Sequence, residues 1–221
     1  MAEQFIKAYA IREEALYGLV GSKDRRAAKR VSEAAEESDL GELMEEADLE
    51  VDEVVEQIVA GRLRRENAYG YRRLLEAVAA VLGRTLRPDE VVMPGRGWQE
   101  LGPAWRGWGQ KQLAASWGGS WSGNRELPWP WKRGPQVDWP VAILVPRRRL
   151  KDLRAELTTF ATRVVLDRGV PAAIDRFGDE EAWPLDELAG EVAHVHQGLL
   201  AWVDAAVKAR RDLLLLHDGQ Q

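Results

Sequence analysis

Apolar runs and stretches of helical periodicity succeed one another along the chain, and their order predicts most of its elements. Residues 5–11, Phe-Ile-Lys-Ala-Tyr-Ala-Ile, put Phe5, Tyr9 and Ile11 on one face of an extended segment and read as a short strand. Arg12 to Val20 reads as a helix stopped by Gly21, and Ser22 stands where it can cap a second helix running to about Glu37 on Ala27, Ala28, Val31 and Ala35. Leu40, Leu43 and Met44, then Val51, Val54, Val55, Ile58 and Val59, recur at helical spacing and predict two further helices, the second closed by Gly61. Asn67 opens a helix to Leu82 on Tyr71, Leu74, Leu75 and Val78, with Gly83 as its C-terminal cap.

Pattern returns at Val141–Val145, an apolar run between Pro140 and Pro146 that reads as a buried strand. A helix follows on Leu150, Leu153, Leu157, Phe160 and Val164, then connecting structure from Pro171 to Asp179. Leu188, Val192, Val195, Leu199, Trp202 and Ala206 form the longest amphipathic stripe in the chain. Leu213 to Leu216 either extends that helix or forms a final strand, and periodicity allows both. The expected architecture is a mostly helical α+β single domain over residues 1–221, with a small sheet from residues near 5–11, 141–145 and 212–217.

Residues 94–140 break the pattern with nine Gly and six Pro in 47 positions. Only Gln99 to Leu113 offers helical spacing, and Gly102, Pro103, Gly107 and Gly109 interrupt it. Eight of the ten Trp fall in this stretch, which is long for a connection within one domain. Charge follows the same division. Residues 1–93 hold 14 Lys/Arg against 20 Asp/Glu, residues 94–151 hold 10 against 3, and residues 152–221 hold 7 against 13. The net charge of −5 therefore conceals parts of −6, +7 and −6. An acidic helical part (1–93), a Trp-rich basic connection (94–140) and a strand-helix-helix-strand part (141–221) result.

The chain has no Cys, which excludes disulfides, thiolate metal sites and thiol nucleophiles. Met1-Ala-Glu-Gln4 lacks the basic and apolar regions of a secretory signal, and no apolar run approaches membrane-spanning length. A cytoplasmic protein without membrane attachment is expected.

Four stretches carry a resemblance: Ala8-Tyr-Ala-Ile11 with Leu19-Val-Gly-Ser-Lys-Asp24, Ala68-Tyr-Gly-Tyr71 with Leu82-Gly83, Leu127-Pro-Trp-Pro130 with Asp138-Trp-Pro140, and Leu199 to Leu216. Together they resemble a family of small uncharacterised actinobacterial proteins. The resemblance implies a single α+β domain whose C-terminal Leu run is a strand, and it brings no activity or ligand. Trp98 to Trp121 is where the chain departs most from that pattern.

Candidate chemistry is sparse. His194 and His196, two apart on a helix, point about 200° apart and cannot share a metal. His196 falls at the edge of the apolar stripe, while His194 points outward. No Ser lies in a nucleophile elbow, and Gly118-Gly-Ser-Trp-Ser-Gly123 lacks the Lys and following helix of a phosphate loop. Carboxylate pairs such as Glu13/Glu14, Glu45/Glu46 and Asp52/Glu53 lie in highly charged, solvated runs rather than a cleft. No catalytic residue, metal or cofactor is expected.

The candidate binding residues are Trp98, Trp105, Arg106, Trp108, Trp117, Trp121, Trp129 and Trp131. Trp and Arg are the types in which interface energy concentrates. The first reading is a non-enzymatic interaction module binding an unidentified protein, or a second copy of the chain, through a Trp/Arg surface in residues 94–151. One alternative is a small-molecule binder or enzyme with a Trp-lined pocket. Another is single-stranded nucleic-acid binding, with Arg147-Arg-Arg149, Lys151 and Arg154 extending the basic track. A sequence pI near 5.4 disfavours a polyanion. Against all three stands a structural role, in which the Trp side chains form the small core of a long Gly/Pro loop.

Overall fold

A computed structural model describes residues 3–94, 141–159 and 185–219. The first part runs β1 (Glu3–Ile11), α1 (Glu13–Leu19), α2 (Arg25–Glu36), α3 (Leu40–Glu45), α4 (Val51–Ala60), α5 (Ala68–Arg73), α6 (Leu75–Leu82) and β2 (Arg84–Pro94). The second runs β3 (Val141–Val145), α7 (Arg147–Thr159), α8 (Leu185–Ala209) and β4 (Asp212–Gly219). Four antiparallel strands form one sheet in the order β2-β1-β4-β3, so the fold is α+β as expected.

Alternation along the strands feeds two cores. Ile6, Ala8 and Ala10 of β1, with Leu213, Leu215, Ile143 and Val145, pack against Leu150, Leu153 and Leu157 of α7 and Val195, Leu199, Trp202 and Val203 of α8. Tyr9, Ile11, Leu144, Leu214 and Leu216 point the other way, into the apolar faces of α1 to α6. A strand between two helical layers has no polar face. Leu213–Leu216 is therefore uninterrupted because alternate residues serve opposite cores, and the run is a strand rather than an extension of α8.

The strand β2 has no counterpart in the sequence reading. Only Leu86 and Val91 of its described side chains are fully buried, so its alternation is faint. Its register explains why. Lys7 pairs with Glu90 and Tyr9 with Thr85, so Leu86 to Asp89 stand opposite Ala8 alone. This bulge sits on an edge strand, where Pro88 costs no ladder hydrogen bond. It is held from the core side, because the Trp202 indole Nε1 donates to the Pro88 carbonyl at 2.8 Å. Gly198 of α8 lets the helix press on β2 nearby, since a Cβ there would lie 2.5 Å from Val91 Cγ2.

The helix expected from Asn67 to Leu82 is divided at Leu74 into α5 and α6. Asn67 caps neither. Its buried amide donates to Gln57 Oε1 at 3.0 Å, and the Tyr71 hydroxyl also bonds that oxygen, fastening α5 to α4. Gly83 is extended rather than left-handed. Nor does Ser22 cap α2. Asp24 Oδ1 accepts from the Arg26 and Ala27 amides at 2.9 and 3.1 Å, and Ser22 Oγ instead accepts from the Asp24 amide. Gly61 does close α4, at φ 70°, with Gly21 packed directly on it. Of the helix expected on Leu150 to Val164, Phe160 and Val164 lie outside the described residues.

One side chain joins the two halves. Asp212, the first residue of β4, accepts from the Glu13 amide through Oδ2 at 2.9 Å and from the Arg147 amide through Oδ1 at 2.7 Å. Both amides open helices and lack intrahelical acceptors, so one carboxylate caps α1 and α7 together. Asp212→Ala is expected to cost about 2 kcal/mol or more in urea unfolding, with Asp212→Asn intermediate because an amide offers one neutral acceptor oxygen. A loss below about 0.5 kcal/mol for the Ala variant would show that water replaces the carboxylate at both helices.

Candidate functional site

Trp98, Trp105, Arg106, Trp108, Trp117, Trp121, Trp129 and Trp131 lie outside the described residues, as does Gly118 to Gly123. The chain on either side is placed. Pro94 pairs with Glu3 at the end of β2, and Val141 pairs with His217 at the start of β3. These are the two edge strands, and both positions lie toward the same end of the sheet, three strand spacings (about 14 Å) apart laterally and staggered by three residues along the strands, since Pro94 is level with Glu3 and Val141 with Ile6. Arg147, bonded to Asp212, stands at the opposite end.

From there α7 presents Arg147, Arg148 and Lys151 to solvent, while Leu150, Leu153 and Leu157 turn inward. Arg154 is committed to an ion pair with Asp204 of α8, leaving the basic track shorter than its sequence suggests. Three arginines in the first turn oppose the α7 macrodipole, and the Asp212 carboxylate offsets part of that repulsion.

A second polar group, which sequence reasoning did not single out, lies on the other face of the sheet. Lys7 of β1 makes an ion pair of 2.7 Å with Glu76 of α6, and the Tyr9 hydroxyl donates to the same carboxylate at 3.4 Å. Burial first, and then the charge and hydrogen bond of Glu76, raise the Tyr9 pKa far above the ordinary phenol range, so Tyr9 remains a protonated donor. Beside them Arg73 donates from Nε to the Tyr69 hydroxyl at 2.8 Å, its guanidinium 5.1 Å from the ring centre. Phe5, Lys7, Leu40, Arg72, Arg73, Glu76 and Leu216 enclose a crevice of about 20 Å³. That is room for one water, not for a substrate. The group closes the sheet against α5 and α6. Its signal in the sequence is a lone cation on the Phe5, Tyr9, Ile11 face of an otherwise apolar strand.

The histidines stand as the stripe implied for a helix. His194 is exposed, and His196 is buried with Nε2 2.9 Å from the Leu157 carbonyl, which ties α8 to α7. A carbonyl accepts only, so Nε2 carries the proton and donates. Burial lowers the His196 pKa, partly opposed by that hydrogen bond. The carboxylates of Glu14, Glu45, Glu46, Asp52 and Glu53 are all exposed.

Residues 2–217 match the family described as Domain of unknown function (DUF7691). The chain belongs to that family. Its span takes in β1 to β3, β4 as far as His217 and every described helix, together with the stretches on which the resemblance to an uncharacterised family rests. No curated protein and no solved structure matches the chain. Among the described residues, no helix is long and apolar enough to cross a membrane.

The His196 environment sets a pH dependence. The unfolded imidazole takes up a proton below about pH 6.5, whereas folded His196 holds out to lower pH. Its contribution to stability is complete above the unfolded pKa and is lost as pH falls below it. Wild type should therefore lose stability between about pH 6.5 and 5 more steeply than His196→Gln, by at most about 1.4 kcal/mol per pH unit. Parallel pH profiles of the urea midpoint for the two proteins would contradict the assignment.

Proposed function

We propose that this protein is a non-enzymatic interaction module of the cytoplasm, which binds a protein partner through Trp and Arg side chains of residues 94–151. The observation that carries the reading is the basic surface at the start of α7. The side chains of Arg147, Arg148 and Lys151 are exposed and form no ion pair among the described residues, and the two arginines stand in the first turn, where the helix dipole disfavours cations. Local stability gives no reason for that arrangement, and rules broken without local gain point to function. The reading is further supported by eight Trp in the chain immediately before it, since aromatic and guanidinium groups together supply the energy of many interfaces. A protein partner is favoured over nucleic acid because the acidic parts on either side repel a polyanion.

Affinity capture from the native host, with nuclease treatment, tests this. A partner captured by wild type and confirmed with purified components should bind about tenfold or more weakly to Trp105→Ala/Trp108→Ala and to Arg148→Glu/Lys151→Glu. Equal binding by all three proteins would overturn the proposal. Capture that disappears on nuclease treatment would favour the nucleic-acid reading instead.

A further inference from the structure

A groove of about 820 Å³ lies on the outer side of the first helical layer, between α2 and α4. The chain entering α2 is bonded to the last turn of α4, through Gly21 N to the Ile58 carbonyl and Lys23 N to the Val59 carbonyl, each at 2.9 Å. Lys23, Arg25, Lys29 and Arg62 surround that end of the groove. Glu33 and Glu36, in the last turns of α2, and Asp52 and Glu56, in the first turns of α4, line the rest. Between them Ala28, Val55 and Val59 form a mostly apolar floor, with Ser32 as its polar member. All eight charged side chains are exposed, and Lys29 with Glu33 at 3.5 Å is the ion pair formed among them.

The charges on α2 run against its own dipole, with Arg25 and Arg26 in the first turn and Glu33 and Glu36 near the last. The last turn of α4 beside the start of α2 offsets this without rewarding it, and a Lys placed four residues before a Glu is the weaker order for a helical pair. A partner bearing the reversed pattern would reward it fully. A second copy is such a partner. Rotation by 180° about an axis lying in the interface, perpendicular to α2 and level with its middle, sets the two α2 helices antiparallel, with Arg25 opposite Glu36 and Lys29 opposite Glu33, twice over. The fit holds to within one residue, because the members of each pair lie nearly equal distances either side of Val31. Four cations and four carboxylates leave no charge over.

We propose that two copies of this chain pair isologously through the α2/α4 groove, with the basic end of each on the acidic end of the other. Exposed ion pairs are individually weak and screened by salt, so the dimer is reversible and salt-sensitive.

Sedimentation of the full chain tests this with exposed substitutions whose folding is checked by circular dichroism. Wild type should be dimeric at about 50 mM salt and shift toward monomer at about 0.5 M. Arg25→Glu/Lys29→Glu and Glu33→Lys/Glu36→Lys should each weaken self-association about tenfold or more, since like charges then face each other. An equimolar mixture of the two variants restores opposite charges at both ends and should recover the dimer. Wild type that is monomeric at low salt, variants that self-associate like wild type, or a mixture that stays monomeric would each overturn the proposal.

Discussion

Burial of β1 and β4 on both faces is the constraint on which the other elements depend. Apart from the half-exposed Lys7, residues 6–11 and 213–216 are buried on both faces, so each strand needs a helical layer above and below it, and those layers come from distant parts of the chain. Residues of Leu213–Leu216 alternate between the two cores, and each contributes roughly 1.5–3 kcal/mol by leaving water. The edge strands β2 and β3 protect the flanks of this pair, and the bulge in β2 is tolerated because it lies at an edge.

Several buried and half-buried polar groups are occupied in joining elements of the fold to one another. Asp212 caps a helix from each layer, His196 ties α8 to α7, Trp202 ties α8 to β2, and Gln57 gathers Asn67 and Tyr71 between α4 and α5. Lys7, Tyr9 and Glu76 close the sheet against α6 around a crevice with room for one water. These groups have partners and geometry suited to holding structure. Charge free to meet other molecules lies on the outer faces, on α7 and along α2 and α4, which is why the functional reading rests on surfaces. Membership of a family of unknown function leaves that reading to physical argument.

Much of the fold is legible in the chain, though the candidate site is legible only in composition. Three of the four strands and the principal helices show as periodicity because each has an apolar face of its own. The eight Trp and Arg candidates stand out by residue type and charge, yet type alone does not say which way a side chain points. Lys7 and Glu76 meet only because β1 and α6 pack together across 69 residues, a distance no spacing rule spans. The opposed charges of α2 and α4 likewise become one groove only when Gly21 settles on Gly61.

The sequence by itself determined the α+β class, the segregation of charge and aromatic residues into the middle of the chain, and the apolar runs that became β1, β3 and β4. These follow from local periodicity and composition, which any short window carries. Tertiary structure alone decided that β2 exists and that the helix after Asn67 divides at Leu74, and it made a strand of Leu213–Leu216, as the expected sheet had it though periodicity allowed a helix. It also decided which acceptors the helix ends use, Asp24 in place of Ser22 and Asp212 for two helices at once. The reason is common to all of these. A weakly alternating strand, an ambiguous Leu run and an unsatisfied helix amide each have several local solutions, and the one adopted depends on partners contributed from far along the chain.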